Sequence, residues 1–221
     1  MILRGYASML TLDRFKEARN VLRGVIADTA LVHSKYFSDL CGNEVYLKPE
    51  NLQVTGAYKI RGAYYKTSKL TEEQKAGGLI TASAGNHAQG VAYAAKVAGV
   101  KATVVMPTTT PLMKVNRTKQ YGAEVILHGA VFDDAAEHAT KLAEEQHLTY
   151  VPPFNDLDIA CGQGTIAYEI FQSLPDVDII LVPIGGGGLA AGVSTLAKLL
   201  NPNVKVIGVE PTGAASMKAS V

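Results

Sequence analysis

Lys59 lies in Thr55-Gly56-Ala57-Tyr58-Lys59-Ile60-Arg61-Gly62-Ala63, at the start of a mixed apolar helical pattern. A lysine is ordinarily a solvated surface residue. Desolvated beside a helix N-terminus, its amine loses basicity and can condense with an aldehyde. Two other glycine-bearing stretches have residues suited to holding anions. In Ser83-Ala84-Gly85-Asn86-His87, Ser83 can cap the following helix while free N–H groups around Gly85 receive a carboxylate, and Asn86 offers a donor and an acceptor. The third stretch is Gly185-Gly186-Gly187-Gly188, followed by Leu189. Four glycines let the main chain wrap an anion with no Cβ in the way, and a helix N-terminus behind them favours phosphate.

An amine able to capture an aldehyde, coupled to a phosphate cradle, suggests a phosphorylated aldehyde, pyridoxal phosphate. Other readings stay open at this level. Gly185, Gly187 and Ala190 satisfy a degenerate dinucleotide pattern, with Glu210 ending the next strand, but a lone match of this kind is weak. The motif has no Gly-Lys-Ser/Thr, which argues against nucleoside triphosphate chemistry. Each corner could also be no more than a tight turn or a capped helix.

These corners must be carried by strands and helices. Strands are expected at Glu44 to Lys48, Leu79 to Ala82, Ala102 to Met106, Glu124 to Leu127, Ile179 to Ile184 and Lys205 to Glu210. Helices are expected at Leu12 to Val25, Tyr58 to Leu70, Asn86 to Ala98, Leu112 to Tyr121, Val131 to Gln146, Gly164 to Leu174 and Leu189 to Leu200. The alternation is that of an α/β fold with parallel strands joined by crossover helices. Gly99 and Gly122 act as helix stops and Pro111 as a helix opener. The strand cores barely alternate, as expected when helices cover both faces. Pro152-Pro153 is the one rigid break. It divides a small unit, residues 70–150, from a larger one built of residues 1–69 and 151–221.

Lys plus Arg total 21 against 20 Asp plus Glu, a net charge of +1. That balance gives no electrostatic argument for nucleic acid or an anionic membrane. Ile179 to Ala197 carries no formal charge, close to the about 20 residues of a spanning helix. Its proline and four glycines suit a buried strand, turn and helix instead. Met1 to Tyr6 shows no signal-peptide pattern,. Cys41 and Cys161, the only cysteines, suit a reducing cytosol and a cytoplasmic protein. His33, His128, His138 and His147 lack metal-ligand spacing, and Cys161, read as sitting in a glycine-flanked turn, has no evident base. No metal is expected.

The motifs together resemble the threonine dehydratase (threonine ammonia-lyase) family of fold type II pyridoxal-phosphate enzymes. Lys48-Pro49-Glu50-Asn51-Leu52-Gln53 leading into Thr55 to Ala63 is similar to its cofactor-lysine segment, with Tyr58 where Phe is commoner. Ser83 to Gly90 resembles its substrate-carboxylate loop and Pro183 to Leu189 its phosphate loop. Met106-Pro107, Lys114 to Gly122 and Gly162 to Thr165 add to the likeness. The resemblance implies two open, twisted, mostly parallel sheets flanked by helices, a tryptophan synthase β-like fold with its large domain incomplete. It also implies that Lys59 holds the cofactor as a Schiff base and abstracts the α-proton. Tyr58 would contact the cofactor and Asn86 its ring hydroxyl; Gly185, Gly186, Gly187, Gly188 and Leu189 would hold its phosphate. Ser83, Ala84, Gly85, Asn86 and His87 would hold the carboxylate of an amino-acid substrate. The activity implied is conversion of L-threonine to 2-oxobutanoate and ammonia, with L-serine to pyruvate beside it, in amino-acid metabolism, by a homodimer or homotetramer.

Two departures separate the chain from the related serine racemases. They carry a second Ser in this loop as the opposite-face base, and here the position is Ala84, which disfavours racemisation. Glu210 matches one member of their acidic metal pair, but Ser216 stands at the other. Family members also continue for a further hundred residues or more. The resemblance therefore implies a fragment lacking the C-terminal part, including the group opposite the pyridine nitrogen.

Overall fold

The computed structural model describes residues 9–220; the signal-peptide expectation at Met1 to Tyr6 lies outside the described residues. A four-stranded parallel sheet is built from β3 (Leu79–Ala82), β4 (Ala102–Met106), β5 (Glu124–Leu127) and β6 (Thr149–Tyr150), in the order β5-β4-β3-β6. β7 (Ile179–Pro183) and β8 (Lys205–Val209) form a separate parallel pair. A third, antiparallel pair joins β1 (Val32–His33) to β2 (Tyr46–Leu47). The α/β architecture with parallel strands is the expected one.

β3 lies between β4 and β6, so the chain runs β3, β4, β5 in one direction and then crosses back to the far side of β3. Such a reversal opens a crevice at the carboxyl ends of the strands. It places the Ser83 corner next to the chain leaving β6. β3 is buried on both faces. Leu79, Val104 and Met106 pack with Ala88, Val91 and Ala95 of α5 (Asn86–Ala98). Ile80, Ala82 and Val105 pack with Ala135 and Ala139 of α7 (Phe132–Glu145). Period-two alternation thus feeds two cores at once.

Around a third core, α1 (Leu12–Leu22), α3 (Lys59–Ser68), α8 (Leu157–Ser173) and α9 (Gly188–Leu200) gather. Phe15, Tyr65, Ile166, Val193 and Leu196 are its buried centre, with Ile180 and Val182 of β7. Glycines let these helices meet at the backbone. A Cβ at Gly162 of α8 would stand 2.5 Å from the Arg61 carbonyl oxygen and 2.6 Å from the Gly62 Cα. One at Gly164 would stand 2.7 Å from the Gly192 carbonyl oxygen of α9.

Three expectations need correction. α8 begins at Leu157, not Gly164: the Asp156 carboxylate caps it by accepting the N–H groups of Asp158 at 2.8 Å and Ile159 at 3.0 Å. Gly162 and Gly164 are therefore packing positions inside a helix, and Cys161 lies in that helix, not in a turn. The strand expected over Glu44 to Lys48 shrinks to Tyr46–Leu47. β7 is not covered on both faces. Its residues alternate exposed and buried, with Leu181 66% exposed. The sequence pattern also did not announce β1, β6, α2 (Lys35–Cys41) or α4 (Glu72–Gly77), each only two to seven residues long. α6 (Leu112–Gln120) and the stops at Gly99 and Gly122, with φ of 69° and 90°, are as expected.

Among the described residues no helix is long and apolar enough to cross a membrane.

Backbone contact at Gly162 leaves no room for a methyl group. Gly162→Ala should destabilise the fold by about 1–3 kcal/mol, read as a lower urea midpoint. Gly213→Ala, where a Cβ meets nothing within 4 Å, should change stability by less than about 0.5 kcal/mol.

Candidate functional site

Lys59 is the first residue of α3. Its helix is fixed from behind by Arg61, which has no exposed surface. The guanidinium forks onto Glu50, with Nε donating at 2.8 Å and Nη2 at 2.8 Å. It also bonds Glu169 of α8, Nη1 at 2.5 Å and Nη2 at 2.8 Å, and the Thr165 hydroxyl at 3.1 Å. Lys48 donates to Glu169 and to the Thr29 carbonyl. The Thr29 hydroxyl donates to Glu50 at 2.6 Å. Two cations and two carboxylates balance, as a buried ionic cluster requires. Burial alone would raise the Glu50 carboxyl, but the hydrogen bonds and charge of Arg61 outweigh it and hold it below the usual range.

At the other end of the same residue pair, the Lys59 Nζ points into a cavity of about 320 Å³ and donates to the Pro153 carbonyl at 2.6 Å. No carboxylate pairs with it among the described residues, and burial lowers its pKa. Tyr58 lines the cavity beside it, with its ring centroid 5.7 Å from the amine.

The second corner reaches the same cavity. Ser83, Asn86 and His87 line it, with Ala84 and Gly85 in the loop between. The expected Ser83 cap is replaced: Gly85 is the N-cap of α5 without a side-chain bond, and the Ser83 hydroxyl accepts the Gly85 N–H at 3.3 Å. The first intrahelical bond runs from Gln89 N–H to the Gly85 carbonyl. The N–H groups of Asn86 and His87 thus have no partner within the helix, the arrangement that receives anions.

His87 is buried, and its Nε2 faces the Val151 carbonyl at 3.0 Å. A carbonyl only accepts, so Nε2 carries the proton. Burial pushes its pKa down to about 4, with the Lys59 charge adding to the effect, and the ring is neutral at physiological pH.

The tetraglycine completes the wall. Gly185, Gly186, Gly187, Gly188 and Leu189 all line the cavity. Gly187 is the N-cap of α9 in the left-handed region, φ 84°, and a Cβ there would also meet Met217 Cε at 2.8 Å. Ala191 N–H makes the first intrahelical bond, to Gly187, which frees the N–H groups of Gly188 and Leu189. Phe132, Pro153 and Phe154 supply the apolar remainder of the cavity. The structure therefore brings together the three corners singled out in the sequence. It adds Phe132 and Phe154, which carry no motif signal, and gives structural roles to Pro153 and to the Arg61 cluster that the motifs did not assign.

A 320 Å³ space bounded by a desolvated amine at one side and a Cβ-free cradle of N–H groups at another fits pyridoxal phosphate. The comparisons agree. The family described as pyridoxal-phosphate dependent enzyme matches residues 22–221. The chain belongs to this family. It is 51% identical over 213 residues to L-threonine ammonia-lyase of Thermotoga maritima, covering 96% of this chain and 53% of that protein. The processed form of threonine deaminase isoform 2 from Solanum lycopersicum superposes with a TM-score of 0.90 at 43% identity, over 99% of this chain and 58% of that one. Serine racemase from Dictyostelium discoideum gives 0.90 at 38% identity, over 96% and 69%. The neighbours confirm the fold type II architecture. The chain spans about half the length of the threonine ammonia-lyase it matches.

The side chains sequence reasoning set aside remain outside the site. Burial pushes the Cys161 thiol up to about 12. Among the described residues no group of three or more His, Cys, Asp or Glu is placed to hold a metal. The Glu210 carboxylate accepts the N–H groups of Met217 at 2.8 Å and Lys218 at 2.9 Å.

Arg61→Met would remove the main cation from the partly buried Glu50 and leave Glu169 with Lys48 alone, and should cost about 3–5 kcal/mol in denaturant unfolding, with Arg61→Lys recovering only part because ammonium cannot fork. The unfolded chain takes up a proton at His87 near pH 6.5 that the folded chain refuses until about 4. Stability should therefore fall as pH drops through that window, by up to about 1.4 kcal/mol per pH unit. The difference between native protein and His87→Asn, followed by urea midpoints at each pH, isolates this slope.

Proposed function

We propose that the chain forms the cofactor and substrate site of a pyridoxal-phosphate-dependent threonine ammonia-lyase, converting L-threonine to 2-oxobutanoate and ammonia and L-serine to pyruvate. The observation that carries this reading is the single cavity that joins the Lys59 amine, the first turn of α5 and the tetraglycine turn. The relatives' names support the substrate.

In this reading the Gly185 to Leu189 main chain would hold the cofactor phosphate and Lys59 would bind its aldehyde carbon. When bound, the cofactor supplies the electron sink for loss of the α-proton and the β-hydroxyl. The substrate carboxylate sits on the main-chain N–H groups of Ser83 to His87, where the α5 dipole favours it. Asn86, exposed at the rim, hydrogen-bonds the cofactor ring oxygen. Once the substrate's own amino group displaces it from that carbon, the freed Lys59 amine would take the proton from the substrate Cα, a role served by a desolvated amine whose basicity burial has reduced,. Ala84 offers no acid or base opposite Lys59, which disfavours racemisation. Residues 70–150 form the small unit and the flanking segments the large one, in a cytoplasmic homo-oligomer.

With added cofactor, this chain and any longer native form should be assayed for 2-oxobutanoate from L-threonine. We expect a visible absorption band on cofactor uptake, lost in Lys59→Ala, and turnover in the form that completes the large unit. A colourless protein in both forms would overturn the reading.

A further inference from the structure

We propose that Phe154 is a positioning residue that presets the tetraglycine turn for the cofactor phosphate, and that the strap Val151-Pro152-Pro153-Phe154 fixes the spacing between the amine and phosphate ends of the site. The proposal rests on the pyridoxal-phosphate reading above.

Four consecutive glycines have more backbone freedom than any other tetrapeptide, and ordering them opposes binding unless something holds them beforehand. Nothing stands within 4 Å of the Cβ direction of Gly185. The next positions are different. A Cβ on Gly186 would stand 2.3 Å from the Phe154 Cγ and Cδ1, and one on Gly188 would stand 3.5 Å from the Phe154 Cβ. One aromatic side chain therefore abuts two of the four glycines. Phe154 is itself 39% exposed and opens onto the cavity, so core packing does not account for its placement.

The residues before it are tied at alternate positions. The Val151 carbonyl accepts the Thr81 hydroxyl at 2.8 Å and His87 Nε2–H at 3.0 Å, linking the strap to β3 and α5. The Pro153 carbonyl accepts the Lys59 amine at 2.6 Å. Two successive prolines restrict φ between these anchors. The segment that passes from β6 to α8 thereby touches all three corners. It holds the lysine at one residue and the phosphate turn at the next.

The test uses native chain, Phe154→Ala, Phe154→Tyr and Lys59→Ala, titrated without cofactor against inorganic phosphate by calorimetry and then against pyridoxal phosphate by absorbance. We expect Phe154→Ala to weaken both affinities about tenfold and Phe154→Tyr to stay within about twofold of native. Lys59→Ala should keep its phosphate affinity while losing the absorption band. Urea midpoints of the two Phe154 variants should match native, and turnover of the form active on L-threonine should recover at saturating cofactor with KM for threonine unchanged. Native-like phosphate and cofactor affinities in Phe154→Ala would overturn the proposal while leaving the cofactor reading intact. Failure of both this chain and the longer form to take up either ligand would overturn both.

Discussion

Arg61 stands two residues from the Lys59 amine and has no contact with solvent. Its guanidinium is the joint through which the Glu50 turn, α3 and α8 are held in one arrangement. A buried cation is tolerable only when its charge is returned nearby and its donors are filled. Glu50, Glu169 and Thr165 meet both conditions, and Lys48 balances the second carboxylate. The orientation of α3 follows from this cluster, and with it the direction of Lys59.

The division of labour along α3 is electrostatic. Arg61 keeps a charge buried by surrounding it with carboxylates; two residues earlier in the same turn, Lys59 leaves a half-buried amine with only a carbonyl for company. The first arrangement favours the charged form and the second disfavours it. His87, neutral and donating to Val151, adds no charge to the cavity. Positive character near the ligand comes instead from N–H groups at the starts of α5 and α9, which are fixed dipoles and do not titrate.

How much was legible in the sequence depended on whether a position's role was carried by residue type or by long-range contact. Tetraglycine, Ser83-to-His87 and Lys59 announce themselves, because few other residues permit a Cβ-free turn, an open helix start or a condensing amine. The strands β3, β4 and β5 also follow at their stated limits, since runs of Val and Ile bounded by turns have few alternatives,. Arg61 was invisible as a joint because its partners, Glu50 and Glu169, are 11 and 108 residues away. Gly162 and Gly164 misled for a local reason: glycine weakens a helix in isolation, and only the presence of α3 and α9 makes its missing side chain an advantage. The two-residue strands β1 and β6 are fixed by pairing, not by composition. Phe154 has no motif at all, and its role emerges only from the ring lying against Gly186.

The glycine contacts also bear on how the pocket treats molecules of different bulk. α3 touches α8 at Gly62 and Gly162, α8 touches α9 at Gly164 and Gly192, and a Cβ on Gly90 of α5 would stand 3.2 Å from the backbone of Lys59 and Ile60. No layer of side chains separates these helices that could rotate to absorb a displacement. The carriers of Lys59, the first turn of α5 and the tetraglycine turn are therefore locked together, and an oversized ligand would meet walls that do not retreat. Accommodation is confined to the exposed rim, at Asn86 and Phe132, so altering which molecules enter is a matter of recarving that rim, not of loosening the frame.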